Sequence, residues 1–76
     1  MKSFYFTFGA GQYASLLDCH YVEIVAPNEI AARVVMVDAF GQKWSMCYDE
    51  LPKDWPGPRP LQRLGKLDEF GNVLER

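Results

Sequence analysis

Polar and apolar residues alternate in residues 2–8 (KSFYFTF), placing Phe4, Phe6 and Phe8 on one side and Ser3, Tyr5 and Thr7 on the other. That pattern predicts a half-buried strand with an aromatic inner face. Residues 20–26 (HYVEIVA) repeat it, with Val22, Ile24 and Ala26 inward and Tyr21, Glu23 and Val25 outward. After Asn28 the period changes. Ala32, Val35, Met36, Ala39 and Phe40 follow the i, i+3, i+4, i+7, i+8 spacing of a helical stripe facing a core. Residues 43–49 (KWSMCYD) return to alternation as a third strand, with Trp44, Met46 and Tyr48 expected toward the helix and Ser45 and Cys47 away from it.

The helix carries its own start and stop signals. Pro27 holds Ala26 extended, and Asn28 can accept an orphan backbone N–H of the first turn. Glu29 suits the positive end of the helix dipole, and Gly41 falls where a left-handed residue closes a helix. A second apolar set, Ile30, Val34 and Val37, lies nearly opposite the first stripe, with Arg33 and Asp38 between the two. A helix on one sheet needs one apolar face, and this one has two. Either the C-terminal segment folds back over the second face, or a partner or second copy covers it.

The expected fold is α+β: a small antiparallel or mixed sheet with one helix packed on one face. Its core is a ββαβ unit in residues 1–50, with spatial strand order 2-1-3, because a strand–helix–strand crossover makes the second and third strands parallel. In residues 51–76, packing on the same domain, a proline-rich connector (LPKDWPGPRP) excludes regular helix and interior strand. Trp55 is its one anchor. Beyond it, Gly71-Asn72 between short alternating runs signals a C-terminal hairpin that extends the sheet, or else a loosely held tail.

Composition narrows the function. A chain of 76 residues is near the lower limit for one hydrophobic core, so its 14% of aromatic residues matter. A net charge of −2 lacks the basic excess of a nucleic-acid backbone binder. The chain shows no leader and no apolar run of membrane-spanning length, which points to the cytoplasm and away from membranes. Cys19 and Cys47 are too few for a disulfide scaffold and are expected as free thiols.

Candidate chemistry is sparse. Gly9-Ala10-Gly11-Gln12-Tyr13-Ala14 matches G-x-G-x-x-A after a strand, but the chain has no room for repeated β-α-β units. The glycines read as a turn. Two cysteines and His20 fall short of a zinc ligand set, and a Cys–His nucleophile pair needs an orienting third group. The sequence therefore points to no catalytic residue, cofactor or metal. The outer sheet face, with Tyr5 and Tyr21, could stack bases or meet a protein, or be covered by the C-terminal hairpin.

The series Phe4-Tyr5-Phe6-Thr7-Phe8-Gly9, Tyr21-Val22-Glu23-Ile24, Ala32-Arg33, Phe40-Gly41-Gln42-Lys43-Trp44 and Tyr48 resembles a family of very small bacteriophage and prophage proteins. Their pattern is YFTFG, a loop often ending in His, a strand, a helix and FG-x-KW. The resemblance extends over about the first fifty residues. It implies a phage context, in which small proteins without catalytic groups block host machinery stoichiometrically, as anti-CRISPR and other anti-defence proteins do. Helix positions that are polar in such proteins are Ile30, Val34 and Val37 here, which favours a specialised contact.

The expectation is thus a non-enzymatic protein-binding module acting on a host protein complex. Its contact residues are Ile30, Arg33, Val34 and Val37 on the helix, Tyr5 and Tyr21 on the outer sheet face, and Trp55. Two alternatives stand beside it: a nucleic-acid-binding accessory protein using the outer tyrosines, and a homodimer packed through the second helical stripe.

Overall fold

The structure is a computed structural model that describes residues 1–8, 19–41, 44, 46–54 and 60–75. The glycine turn expected after Phe8, most of the loop leading to Cys19, Ser45 and Trp55 lie outside those residues. In chain order the elements are β1 (Lys2–Thr7), β2 (His20–Ala26), α1 (Glu29–Phe40), β3 (Met46–Tyr48), β4 (Gln62–Leu67) and β5 (Val73–Glu75). The fold is α+β. One mixed sheet runs in the order β3-β1-β2-β4-β5, and α1 packs against β1 and β2.

β1 is antiparallel to both of its neighbours, pairing Phe4 with Ile24 and Phe6 with Val22 on β2, and Phe6 with Cys47 on β3. The expected ββαβ unit accounts for only part of this sheet, which is wider than three strands. The C-terminal segment adds a hairpin at the free edge of β2, where β4 lies parallel to β2 and β5 antiparallel to β4. The Gln62 N–H donates to the Cys19 carbonyl at 3.0 Å, fixing the start of that pairing.

Inside, Phe4, Phe6, Phe8, Val22, Ile24 and Ala26 from the sheet meet Ala32, Val35 and Met36 from the helix. Phe6 packs edge-on against Trp44 at 5.1 Å and Phe8 against Phe40 at 5.2 Å. Each buried phenylalanine stabilises by about 1.5–3 kcal/mol. With so short a chain, Phe4 and Phe6 on β1 and Phe8 just beyond it are the centre of the core.

The helix begins and ends at its local signals. Asn28 Oδ1 accepts the Ala31 N–H at 2.9 Å, and Gly41 takes φ +61° with its N–H donating to the Val37 carbonyl. The inner stripe departs from expectation at one end, where Ala39 is exposed and Phe40 half-buried.

Two further expectations are corrected. The third strand is short, and its faces are opposite to those expected. Cys47 pairs with core-facing Phe6 and packs against the core, whereas Met46 and Tyr48 pair with outward Thr7 and Tyr5. Trp44 lies toward the core as predicted, but it precedes the strand, and it shares the core side with Cys47 three positions on, which a continuous alternation would not allow. A one-residue change of phase turns every following side chain over.

The hairpin turn is longer than the Gly71-Asn72 pair suggested. It occupies residues 68–72, with Leu67 opposite Val73. Asp68 Oδ1 accepts the N–H groups of Phe70 at 2.9 Å and Asn72 at 2.8 Å, and Gly71 adopts φ +82°. An Asp carboxylate that caps its own following backbone in this way stands in for a tighter turn.

Those bonds, led by the one from the Asn72 backbone, hold the Asp68 carboxyl below its ordinary value. Glu75 is held low in the same sense, first by its hydrogen bond from Arg63 and then by the charge of Lys66. Both values are depressed on folding, so their contribution is present above the unfolded carboxylate range and is lost as pH falls through the folded values. Amide protection in β4 and β5 should therefore drop between about pH 5 and pH 3 before that of β1 and β2. Asp68→Ala should produce the same selective loss at neutral pH. Equal protection of the two pairs under both conditions would show that the turn carboxylate does not hold the hairpin.

Candidate functional site

The second helical stripe is bare. Ile30 is 76% exposed, Val34 57% and Val37 51%. No described part of the C-terminal segment folds over this face, against one of the two expectations. The hairpin turn comes alongside, where Val34, Asp38, Glu69 and Phe70 share one hollow, but it leaves Val34 more than half open. Phe70, at the tip of that turn, is itself 80% exposed.

Arg33 borders the stripe and is held in place. Its Nε donates to Glu29 Oε2 at 2.8 Å, one turn back along the helix, and its guanidinium lies 5.5 Å from the Trp44 ring centroid. The first is an exposed i, i+4 pair worth little by itself, and the second a cation–π contact. Together they fix the one basic group on this side of α1. The indole N–H of Trp44 is buried without an acceptor among the described residues.

On the opposite sheet face Tyr5 and Tyr21 meet edge-on at 5.9 Å, both half-buried. Thr7 lies beside them and is only 1% exposed, so this part of the outer face is not open as the alternation implied. Glu23 gathers the polar groups. It accepts the Ser3 hydroxyl at 2.7 Å and faces Arg63 at 3.5 Å and Lys66 at 3.8 Å. Arg63 and Lys66 in turn face Glu75, at 2.9 Å and 3.5 Å. Sequence alternation missed this network because two of its members sit on β4, where a bulge beyond Arg63 shifts the register.

The thiols are not poised for chemistry. Cys19 is buried, at φ +60°. Burial pushes the Cys47 thiol up to about 11, with the charges of Glu29 and Asp49 acting in the same direction and Arg33 opposing. His20 is half-buried and partnered. No cluster of His, Cys, Asp and Glu among the described residues could hold a metal ion, and no helix there is long and apolar enough to cross a membrane. Trp55 and the G-x-G-x-x-A stretch lie outside the described residues, so neither joins this geometry.

The features brought together are therefore an apolar helix face with a fixed arginine and an adjoining exposed phenylalanine. Tyr5 and Tyr21 are separated from them by the sheet. No family model matches the chain, and searches of curated proteins and of solved structures give no match either.

The state of Cys47 gives a direct check. A thiol at about 11 has on the order of a hundredfold less thiolate near neutral pH than one at the ordinary cysteine value, partly offset by the higher nucleophilicity of that thiolate. Iodoacetamide at about pH 8 should alkylate Cys47 roughly tenfold more slowly than free cysteine, and at the ordinary rate in urea. A folded-state rate equal to that of free cysteine would contradict the geometry.

Proposed function

We propose that this chain is a non-enzymatic protein-binding module that contacts its partner through the outer face of α1. The observation that carries this reading is the periodic exposure of Ile30, Val34 and Val37, three large apolar side chains spaced to lie on one helical face. Scattered apolar residues on a surface are ordinary, but a contiguous patch is a contact site in want of a partner. Arg33 at its margin is preorganised by Glu29 and Trp44, and arginine is favoured at such contacts. The partner best supported by the resemblance to small phage proteins is a host protein complex, and the mode of action is stoichiometric inhibition of anti-CRISPR or anti-defence type.

Nucleic acid is a weaker fit. The basic groups of the outer sheet face, Arg63 and Lys66, already face Glu23 and Glu75, which leaves little unbalanced positive charge beside the tyrosines.

Val34→Asp tests the reading with Val35→Asp as its contrast. Val34 is exposed, so its replacement should change stability by less than about 1 kcal/mol. Val35 is buried, and an unpartnered carboxylate there should unfold the chain. With the tagged protein as bait in a lysate of its bacterial host, Val34→Asp and Ile30→Asp should each abolish partner capture while retaining the native circular dichroism spectrum. Loss of fold in Val34→Asp would make that face part of the core. Undiminished capture by both variants would place the contact elsewhere.

A further inference from the structure

The helix covers β1 and β2, and beside it the inner side of the β4–β5 hairpin is left open. Two hollows follow the border between them. One, of about 310 Å³, is lined chiefly by Phe40, Leu64, Leu67 and Val73, with Gly65 contributing no side chain to its floor. The other, of about 360 Å³, lies between Val34 and Ala39 on the helix and Phe70 on the turn. Val73 is 55% exposed and Leu64 38%, so the floor is accessible as well as apolar. Ala39 in the second hollow directly precedes Phe40 in the first along α1, so the two adjoin as one groove with α1 as a bank.

Its dimensions suit one kind of occupant. Strands lie about 4.8 Å apart, so the width of a two-stranded hairpin matches the roughly 10 Å diameter of a helix. β4 has six residues, spanning about 20 Å, which a helix covers in about 13 residues. The charges at the rim select further. Asp38 on the helix and Glu69 on the turn both line the second hollow, and neither is in an ion pair among the described residues. The other carboxylates beside the site, Glu29 and Glu75, are already paired.

We propose that this groove seats one amphipathic helix of a protein partner, its apolar stripe on Phe40, Leu67 and Val73 and a lysine or arginine beside Asp38 and Glu69. The proposal rests on the protein-binding reading above and extends the contact from the helix face across the hairpin. A second copy of the chain fits less well. Its two-fold axis would bring the unpaired carboxylates of both copies into one patch, where like charges repel.

The test uses the full chain, labelled with ¹⁵N, and two synthetic helical peptides of about eighteen residues. Both carry the same leucine stripe; one is flanked by lysines and the other by glutamates. The lysine peptide should shift the amide resonances of Val34, Phe40, Leu67 and Val73, and bind roughly three- to tenfold more tightly by fluorescence anisotropy. The double variant D38K/E69K, altered only at the groove rim, should reverse that preference. Val73→Asp should weaken both peptides.

Equal affinities, shifts confined to other residues, or no shifts at all would overturn the proposal. A concentration-dependent dimer that closes the groove would overturn it too, by making a second copy the occupant. If Val34→Asp abolishes capture while the peptides ignore the groove, this inference fails and the protein-binding reading stands. If the peptides bind as expected but capture is insensitive to Val34→Asp and Ile30→Asp, the helix-face reading fails and the groove remains.

Discussion

One helix cannot cover five strands. α1 has twelve residues, about 18 Å of length and roughly 10 Å of width, while five strands spread their axes over about 19 Å. It lies where coverage stabilises most, over β1 and β2, and every fully buried apolar side chain of the helix meets those strands. The aromatic inner face of β1 is therefore flanked on both sides, by β3 and β2, and capped by Ala32, Val35 and Met36. What remains of the inner face belongs to β3 and to the β4–β5 hairpin, where Leu64 and Val73 are apolar without being buried. The open groove is thus a consequence of the ratio of helix to sheet.

The hairpin needs another source of stability, and the structure supplies it from the other side. β4 is joined to β2 by parallel backbone pairing and by the contacts of Arg63 and Lys66 with Glu23, while β5 is tied to both basic groups through Glu75. The turn is closed by the Asp68 carboxylate. These are exposed or half-exposed polar contacts, individually small and weakened by salt. A pair of strands held by its outer face and left open on its inner face has a lower local stability than the core pair beside it. Such an element would adjust at little cost to the proposed occupant of the groove whose floor it forms.

The legible parts of this fold are those fixed within a few residues of chain. Asn28 and Gly41 mark both ends of α1 because a cap is a local hydrogen-bond problem, and the facing of β1 and β2 follows from period two. The facing of the third strand is not the expected one because Trp44 and Cys47, three positions apart, both pack toward the core, which strict alternation forbids; Trp44 is placed there by its contact with Phe6, a tertiary contact that period two does not contain. The length of the hairpin turn was hidden for a different reason. Gly71-Asn72 is a tight-turn signal, but the Asp68 side chain competes for the same backbone N–H groups and sets a wider closure. The exposed stripe Ile30, Val34 and Val37 was visible as a second apolar face, yet nothing in the pattern said whether the tail would cover it. The groove was not legible at all, because it arises from where β4 sits relative to α1.

Exposure alone does not make an interface, since much of any protein surface is apolar. Three residues share one helical face, a phenylalanine stands at the tip of the adjacent turn, and of the two hollows beside them one is floored by the inner side of the hairpin and the other lies between helix and turn. The chemistry-bearing groups are occupied within the fold. Cys47 is held protonated, Glu23 is consumed by Ser3, Arg63 and Lys66, and the two tyrosines of the outer face lean on each other. The polar side of the molecule is thus spent on holding the sheet together, while the apolar side is left unfinished. A sequence selected only for a stable monomer could turn Ile30, Val34 and Val37 polar at almost no cost in folding, because they touch so little of the core. Three large apolar side chains on the exposed face of so short a helix are what the proposed protein contact would use.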